Sequence, residues 1–224
     1  MCGIVGYIGE KDISTTLLVG LERLSYRGYD SAGISVISDQ ELSVWKKAGK
    51  ITELDKFISN LTIKSKIGIG HTRWATHGVV NDVNSHPHLS TNKKFAVVHN
   101  GIIENYMALK SELISDGFIF RSNTDSEVIV NLLEKYYVDD VKKALQKTLN
   151  RLTGSYSLSI ISEYDSESIY FARNGSPLIL GVGQNENYIS SDINSILPTI
   201  LVATYAPTGP FGSGKIIFNF LRLS

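Results

Sequence analysis

A chain of 224 residues with 42% hydrophobic residues is long enough for one large domain with a substantial core, and barely long enough for two small ones. Its 22 basic and 22 acidic residues cancel, so no sequence-wide field favours nucleic acid or an anionic membrane, and the expected partner is a small molecule. The single cysteine excludes an internal disulfide framework and fits a reducing cytoplasm, while no apolar run approaches the roughly 18 residues of a membrane span. The longest candidate, residues 196–206, is interrupted by Pro198, Thr199, Thr204 and Tyr205. The first residues lack the basic segment and long apolar stretch of a secretion signal, so they are expected to belong to the mature fold.

In chain order, residues 2–9 read as a short buried strand in which Gly3, Gly6 and Gly9 permit close backbone approach. Ile13, Leu17, Leu18, Leu21 and Leu24 then keep helical spacing until Gly28 breaks it. Residues 32–37 and 42–45 predict a hairpin turning near Asp39, and Ile51, Leu54, Phe57, Ile58 and Leu61 predict a second helix with Thr52 as its cap. A strand over residues 67–70 runs into His71-Thr72-Arg73-Trp74-Ala75-Thr76-His77-Gly78, whose polarity predicts a loop. Residues 95–99 predict a buried strand ending at Asn100-Gly101, with Asn105 capping a helix through Tyr106, Leu109 and Leu113 that stops at Gly117. Thr124-Asp125-Ser126-Glu127 has capping-box spacing ahead of a helix carrying Val128, Ile129, Leu132 and Leu133. Val138, Val141, Leu145, Leu149 and Leu152 mark another helix, and residues 157–162, 168–172, 178–182 and 187–191 read as a four-strand meander. Strands at both ends with helices grouped between them predict an α+β architecture of two packed sheets covered by helices.

Cys2 is the residue with chemical potential. Removal of Met1 would place on one residue a thiol of reference pKa roughly 8.5 and an α-amine of roughly 7.7 to 8.0. Nucleophile and general base would then share one Cα, with the proton passing through a water. The competing reading makes Cys2 a small core residue beside Ile4 and Val5.

Three other stretches invite chemistry. All five histidines, 71, 77, 86, 88 and 99, fall in one window, yet His86-Pro87-His88 lacks carboxylate or thiolate ligands at metal-site spacing, so loop histidines bonded to backbone are expected and no metal or cofactor is. Gly209-Pro210-Phe211-Gly212-Ser213-Gly214-Lys215 nearly spells a phosphate loop. However, Ile216 stands where Ser or Thr would hold magnesium, and a Gly/Pro turn is expected instead. Asn100-Gly101 supplies a side-chain amide and an adjacent backbone N–H that can face one oxygen, the composition of an oxyanion hole, or equally a hairpin turn.

These segments together resemble one family. Met1-Cys2-Gly3-Ile4-Val5-Gly6, Leu24-Ser25-Tyr26-Arg27-Gly28-Tyr29-Asp30-Ser31-Ala32-Gly33, the 71–78 stretch, Asn84-Ser85-His86-Pro87-His88, Val98-His99-Asn100-Gly101-Ile102-Ile103-Glu104-Asn105 and Asn123-Thr124-Asp125-Ser126-Glu127 resemble the glutaminase domains of glucosamine-6-phosphate synthases. Those are class II glutamine amidotransferases with the four-layer α/β/β/α sandwich of N-terminal nucleophile hydrolases. The resemblance covers roughly residues 1–199 and leaves 200–224 as a divergent tail. It implies that Cys2 attacks the side-chain carbonyl of glutamine and that Asn100 and the Gly101 N–H hold the oxyanion. It further implies that Arg73 anchors the α-carboxylate, Asp125 the α-amine, that Thr76 and His77 line the substrate, that Trp74 covers it, and that Arg27 and His86 support the site. For Arg27 a surface ion pair with Asp30 stays open. The family's sugar isomerase domain, which uses the ammonia to make glucosamine 6-phosphate from fructose 6-phosphate, has no counterpart in these residues. Two alternatives remain: a stand-alone glutamine amidohydrolase, and a silent glutamine-sensing module.

Overall fold

The computed structural model describes residues 2–74 and 79–206, together with the backbone of 216–218. In chain order it contains β1 (Gly3–Ile8), α1 (Ile13–Glu22), β2 (Ser31–Ser38), β3 (Glu41–Ala48), α2 (Ile51–Ile58), β4 (Ile67–Arg73), β5 (His88–Leu89), β6 (Phe95–Ile103) and α3 (Tyr106–Ser115). There follow α4 (Glu127–Tyr136), α5 (Val141–Leu149), β7 (Gly154–Ser162), β8 (Asp165–Asn174), β9 (Ile179–Val182), β10 (Asn187–Ser190), β11 (Val202–Tyr205) and β12 (Ile216–Phe218). A seven-stranded sheet has the order β11-β9-β10-β1-β4-β2-β3, and a five-stranded sheet has the order β12-β8-β7-β6-β5. Every pairing is antiparallel.

Three apolar clusters define four layers. Val5 and Tyr7 of β1 pack with Leu17 and Leu21 of α1 and Leu54 of α2, so one face of the larger sheet is covered by helices. Ile4 and Ile8, pointing the other way, meet Ala96 and Val98 of β6 and Phe171 of β8, which closes the two sheets on each other. Phe95 and Val97 of β6 then face Val128, Leu132 and Leu145 of α4 and α5. Successive side chains of a strand point to opposite faces, so a strand apolar on both is sandwiched, and β1 is buried along its whole length.

Several expectations are corrected. The four late strands do not form one meander: β7 and β8 extend the sheet of β6, whereas β9 and β10 return to β1. Residues 71–73 are not loop but the buried end of β4, and β6 does not end at Asn100-Gly101 but continues to Ile103, paired with β7 throughout. The α2 helix begins after Lys50 with no side-chain cap, so Thr52 does not cap it. Asn105 flanks α3 but bonds the Arg151 carbonyl and the Thr153 N–H instead. The capping box does not form, because Glu127 accepts from the N–H groups of Arg121 and Ser122 and Ser126 flanks the helix. Val138 lies outside α5, which Asp140 caps by accepting from Lys142 N and Lys143 N. The hairpin is as expected, with positive φ at both Asp39 and Gln40.

Beyond residue 199, β11 pairs with the edge strand β9 and β12 with β8. The stretch 209–215 lies outside the described residues.

Candidate active site

The site forms where the start of β1 and the end of β4 meet the later part of β6. Gly3 pairs with Thr72, and a Cβ on Gly3 would come within 2.6 Å of Thr72 Oγ1 and 2.7 Å of Leu24 Cδ1. Only glycine lets β1 approach this closely, and Cys2 is thereby set beside the end of β4. The Trp74 N–H donates to Cys2 Sγ at 3.3 Å, and the thiol reaches the Trp74 carbonyl at 3.7 Å. Burial pushes the thiol pKa up, opposed first by that N–H and also by positive charge including Arg73. Trp74 is half exposed and lies over Gly28, whose φ is +75° and whose added Cβ would fall 2.6 Å from Trp74 Cζ3.

Across from Cys2, the Asn100 amide is held at both ends. Its Nδ2 donates to the Cys2 carbonyl at 3.2 Å, and its Oδ1 lies 2.9 Å from His71 Nε2. Gly101 follows with φ +130°, and a Cβ there would run into the Ser155 carbonyl of β7. Asp125 is buried; its Oδ2 accepts from the Ile103 N–H at 2.8 Å and its Oδ1 from Ser126 Oγ at 3.3 Å. Ser126 Oγ is also 2.8 Å from His99 Nδ1. Arg73 is buried at the end of β4. Cys2, Arg73, Trp74, Gly101, Asp125 and Ser126 line one small cavity, about 30 Å³ and so roughly one water in size.

The support lies in a shell that sequence reading recognised only in part. Arg27 reaches the chain just past β10. Its Nη1 donates to Ser191 Oγ at 3.3 Å and its Nη2 lies 3.8 Å from Asp192 Oδ2. Ser191 Oγ in turn accepts from the Ile4 N–H at 3.0 Å, so Arg27 braces β1 two residues beyond Cys2. His86 Nδ1 accepts from the His99 N–H at 3.2 Å, and the ring stacks on His71 at 4.2 Å. Lys46 of β3 donates to the carbonyls of Val83, Ser85 and Pro87, fixing the segment that carries His86; burial draws its pKa down to about 8. His71, His86, His88 and His99 are all buried, and burial lowers the pKa of each, His71 to about 3. Among the described residues no group of three or more His, Cys, Asp or Glu is placed to hold a metal ion. Thr76 and His77 lie outside the described residues. Ser191 and Asp192 were not singled out from sequence, and His71 and Ser126 were named only within the histidine window and a motif, without a role in the site; the available signal was polarity at the ends of otherwise apolar strands.

Helices enclosing two face-to-face antiparallel sheets, with a cysteine at the head of a central strand, make the N-terminal nucleophile hydrolase architecture of class II glutamine amidotransferases. A family model described as a glutamine amidotransferase domain matches residues 71–198, and the chain belongs to that family. Glutamine--fructose-6-phosphate aminotransferase [isomerizing] of Caldanaerobacter subterraneus subsp. tengcongensis is 52% identical over 197 residues, 88% of this chain and 32% of that protein. The protein of the same name from Pyrococcus horikoshii is 47% identical over 214 residues, 95% of this chain and 36% of that one. The chain therefore spans about a third of these curated relatives. Among solved structures, the glutamine phosphoribosylpyrophosphate amidotransferase of B. subtilis has a TM-score of 0.78 at 27% identity, covering 100% of this chain and 49% of that one. A glutamine aminotransferase class-II domain protein from Silicibacter pomeroyi shares the fold, with a TM-score of 0.60 at 18% identity over 98% of this chain and 99% of that one. No described helix is long and apolar enough to cross a membrane.

Proposed function

We propose that this chain hydrolyses the side-chain amide of glutamine through a Cys2 thioester. The observation that carries the reading is the pairing of a thiol at the head of β1 with a side-chain amide donor, Asn100 Nδ2, held 3.2 Å from the Cys2 carbonyl. With Met1 removed, the Cys2 α-amine takes the thiol proton through a water, and the sulfur forms a bond to the amide carbon of glutamine. The carbonyl electron pair moves onto oxygen, where Asn100 Nδ2 and the Gly101 N–H receive it. Collapse of this intermediate breaks the carbon–nitrogen bond as the ammonium on Cys2 returns its proton to the leaving NH₂ group, which departs as ammonia. Water then attacks the thioester, releases glutamate and restores the thiol.

Arg73 pairs its planar fork with the substrate carboxylate and Asp125 takes the ammonium, each charge matched in the same small cavity. Trp74 covers the site, Arg27 steadies β1 through Ser191, and His86 steadies β6 through the His99 N–H, while the family resemblance gives Thr76 and His77 a part in binding substrate. The cavity must open for glutamine to enter, and closure over bound substrate would retain ammonia and exclude stray water. Residues 1–199 carry this chemistry and 200–224 form a divergent tail. In a longer protein or a two-subunit assembly, a sugar isomerase unit would use the ammonia to convert fructose 6-phosphate to glucosamine 6-phosphate, an amino-sugar pathway of the cytoplasm. Neither metal nor organic cofactor is assigned a role.

The test is intact-mass analysis with a glutamine-analogue diazoketone, which reads Met1 removal and Cys2 labelling together, alongside assays of glutamate and amino-sugar formation with and without fructose 6-phosphate. Glutamate release without amino sugar is expected, with loss of release in Cys2→Ala and in protein that retains Met1. Normal turnover by protein that retains Met1 would overturn the mechanism, and amino sugar made by this chain alone would overturn the division of labour.

A further inference from the structure

Behind Asn100 stands a histidine to which the proposed chemistry assigns nothing. His71 Nε2 lies 2.9 Å from Asn100 Oδ1 and 3.0 Å from the His99 carbonyl oxygen. Both partners are acceptors, so Nε2 carries the proton and shares it between them. Nδ1 is then an unprotonated acceptor, and it is enclosed without a hydrogen-bond partner among the described residues. A buried acceptor left unmet is a cost, and the ring tolerates it in the orientation that presents its N–H to Asn100. The ring plane is fixed by stacking on His86, at 4.2 Å between centroids and 21° between planes. His86 is itself held by the His99 N–H, so His71, His86 and His99 form one braced set.

The consequence concerns a choice inherent to asparagine. A half-turn of the Asn100 amide would exchange its donor and acceptor, setting Oδ1 against the Cys2 carbonyl and removing Nδ2 from the reacting side. A donor at Oδ1 disfavours that turn, because the turned amide would aim its NH₂ at the His71 N–H. We infer that His71 is a positioning residue, acting through Asn100, that locks the amide with Nδ2 toward the oxygen on which charge develops. This rests on the glutaminase reading proposed above.

The experiment is a double-mutant cycle on glutamine hydrolysis by the Met1-free protein, using His71→Phe, His71→Gln, Asn100→Ala and the double variant His71→Phe/Asn100→Ala. His71→Phe keeps a ring on His86 but removes the N–H, and is expected to lower kcat about 10-fold to 100-fold with KM little changed, somewhat less than outright loss of an oxyanion donor. His71→Gln restores a donor at the same reach and should recover most of kcat. In the Asn100→Ala background the phenylalanine should add no more than about 3-fold, since the group it positions is gone. A full, independent loss in that background, an undiminished kcat in His71→Phe, or no rescue by glutamine would overturn the assignment. If the phenylalanine variant does not fold, His71→Leu takes its place in the same cycle. A parent protein that neither hydrolyses glutamine nor labels at Cys2 would instead remove the glutaminase reading on which the inference stands.

Discussion

Protonating the buried histidines should unfold this protein in mild acid, well before its carboxylates titrate. His71 is drawn down to about 3, His86 and His88 fall well below the usual imidazole range, and burial is the first cause in each case, with like charge from Lys46 or Arg73 adding to it. For a base whose pKa is lower in the fold than in the unfolded chain, the unfolded state binds more protons. Stability is therefore full above about pH 6.5 and is lost as pH falls toward the folded value. At pH 5 each imidazole kept neutral costs roughly 2 kcal/mol, so these three together remove about 6 kcal/mol, comparable with the whole stability of a typical domain. His99 is left out of that figure because the negative charge of Asp125 partly offsets its burial. The lowered carboxylate of Glu112, at about 2, acts only below the usual glutamate range. Lys46, at about 8, changes stability on the alkaline side. Urea unfolding at pH 7.5 and pH 5 reads the difference, and His88→Gln, whose amide can still hydrogen-bond Thr124 Oγ1 in either sense, should recover about 2 kcal/mol of it. Stability that changes by less than about 1 kcal/mol between the two conditions would refute the reasoning.

Gly28→Ala places a side chain at φ +75° and into the Trp74 ring; a loss of about 1 to 3 kcal/mol is expected, with Tm lower by at least about 2 °C and KM for glutamine raised, and unchanged values of both would show that Trp74 has room to spare. Asp125→Asn keeps an acceptor for the Ile103 N–H and gives up the charge together with the second acceptor, which faces Ser126 Oγ, so KM should rise roughly 10-fold to 100-fold while kcat changes less. A loss confined to kcat would move Asp125 from substrate binding into the chemistry.

The layer order was legible because sandwiched strands carry apolar side chains on both faces, as residues 3–8 and 95–98 do. What misled was polarity at strand ends. His71, Thr72 and Arg73 look like loop residues in a linear reading, yet they continue β4 because their partners, Gly3 and Ala32 among them, come from distant parts of the chain. Asn100-Gly101 carries the local signal of a turn, but β7 pairs with it and its ladder overrides the dipeptide. Glu127 has capping-box spacing, and the nearby N–H groups of Arg121 and Ser122 claim its carboxylate instead. Nothing local distinguishes β7 and β8 from β9 and β10; their separation depends on whether β6 or β1 lies alongside. In the site, position alone drew attention to Cys2 and a dipeptide to Asn100, whereas the histidine set and the Arg27–Ser191 brace exist only through contacts across the fold.

Strand β6 links two parts of the site that a reader of the sequence would treat separately. Asn100 and Gly101 stand on it, and the Ile103 N–H two residues further on holds the Asp125 carboxylate. In a strand laddered along its whole length, successive residues advance by about 3.3 Å with little freedom to stretch. On the proposed assignment, the place where the amide is cut and the place where the amino end is gripped are marked off along one ruler. A homologue of glutamine one methylene shorter would satisfy one mark and miss the other, a discrimination of roughly 1 to 3 kcal/mol from length alone. By the same token, an inserted residue or a bulge between Asn100 and Ile103 would change which amino acid fits, even with every catalytic group intact.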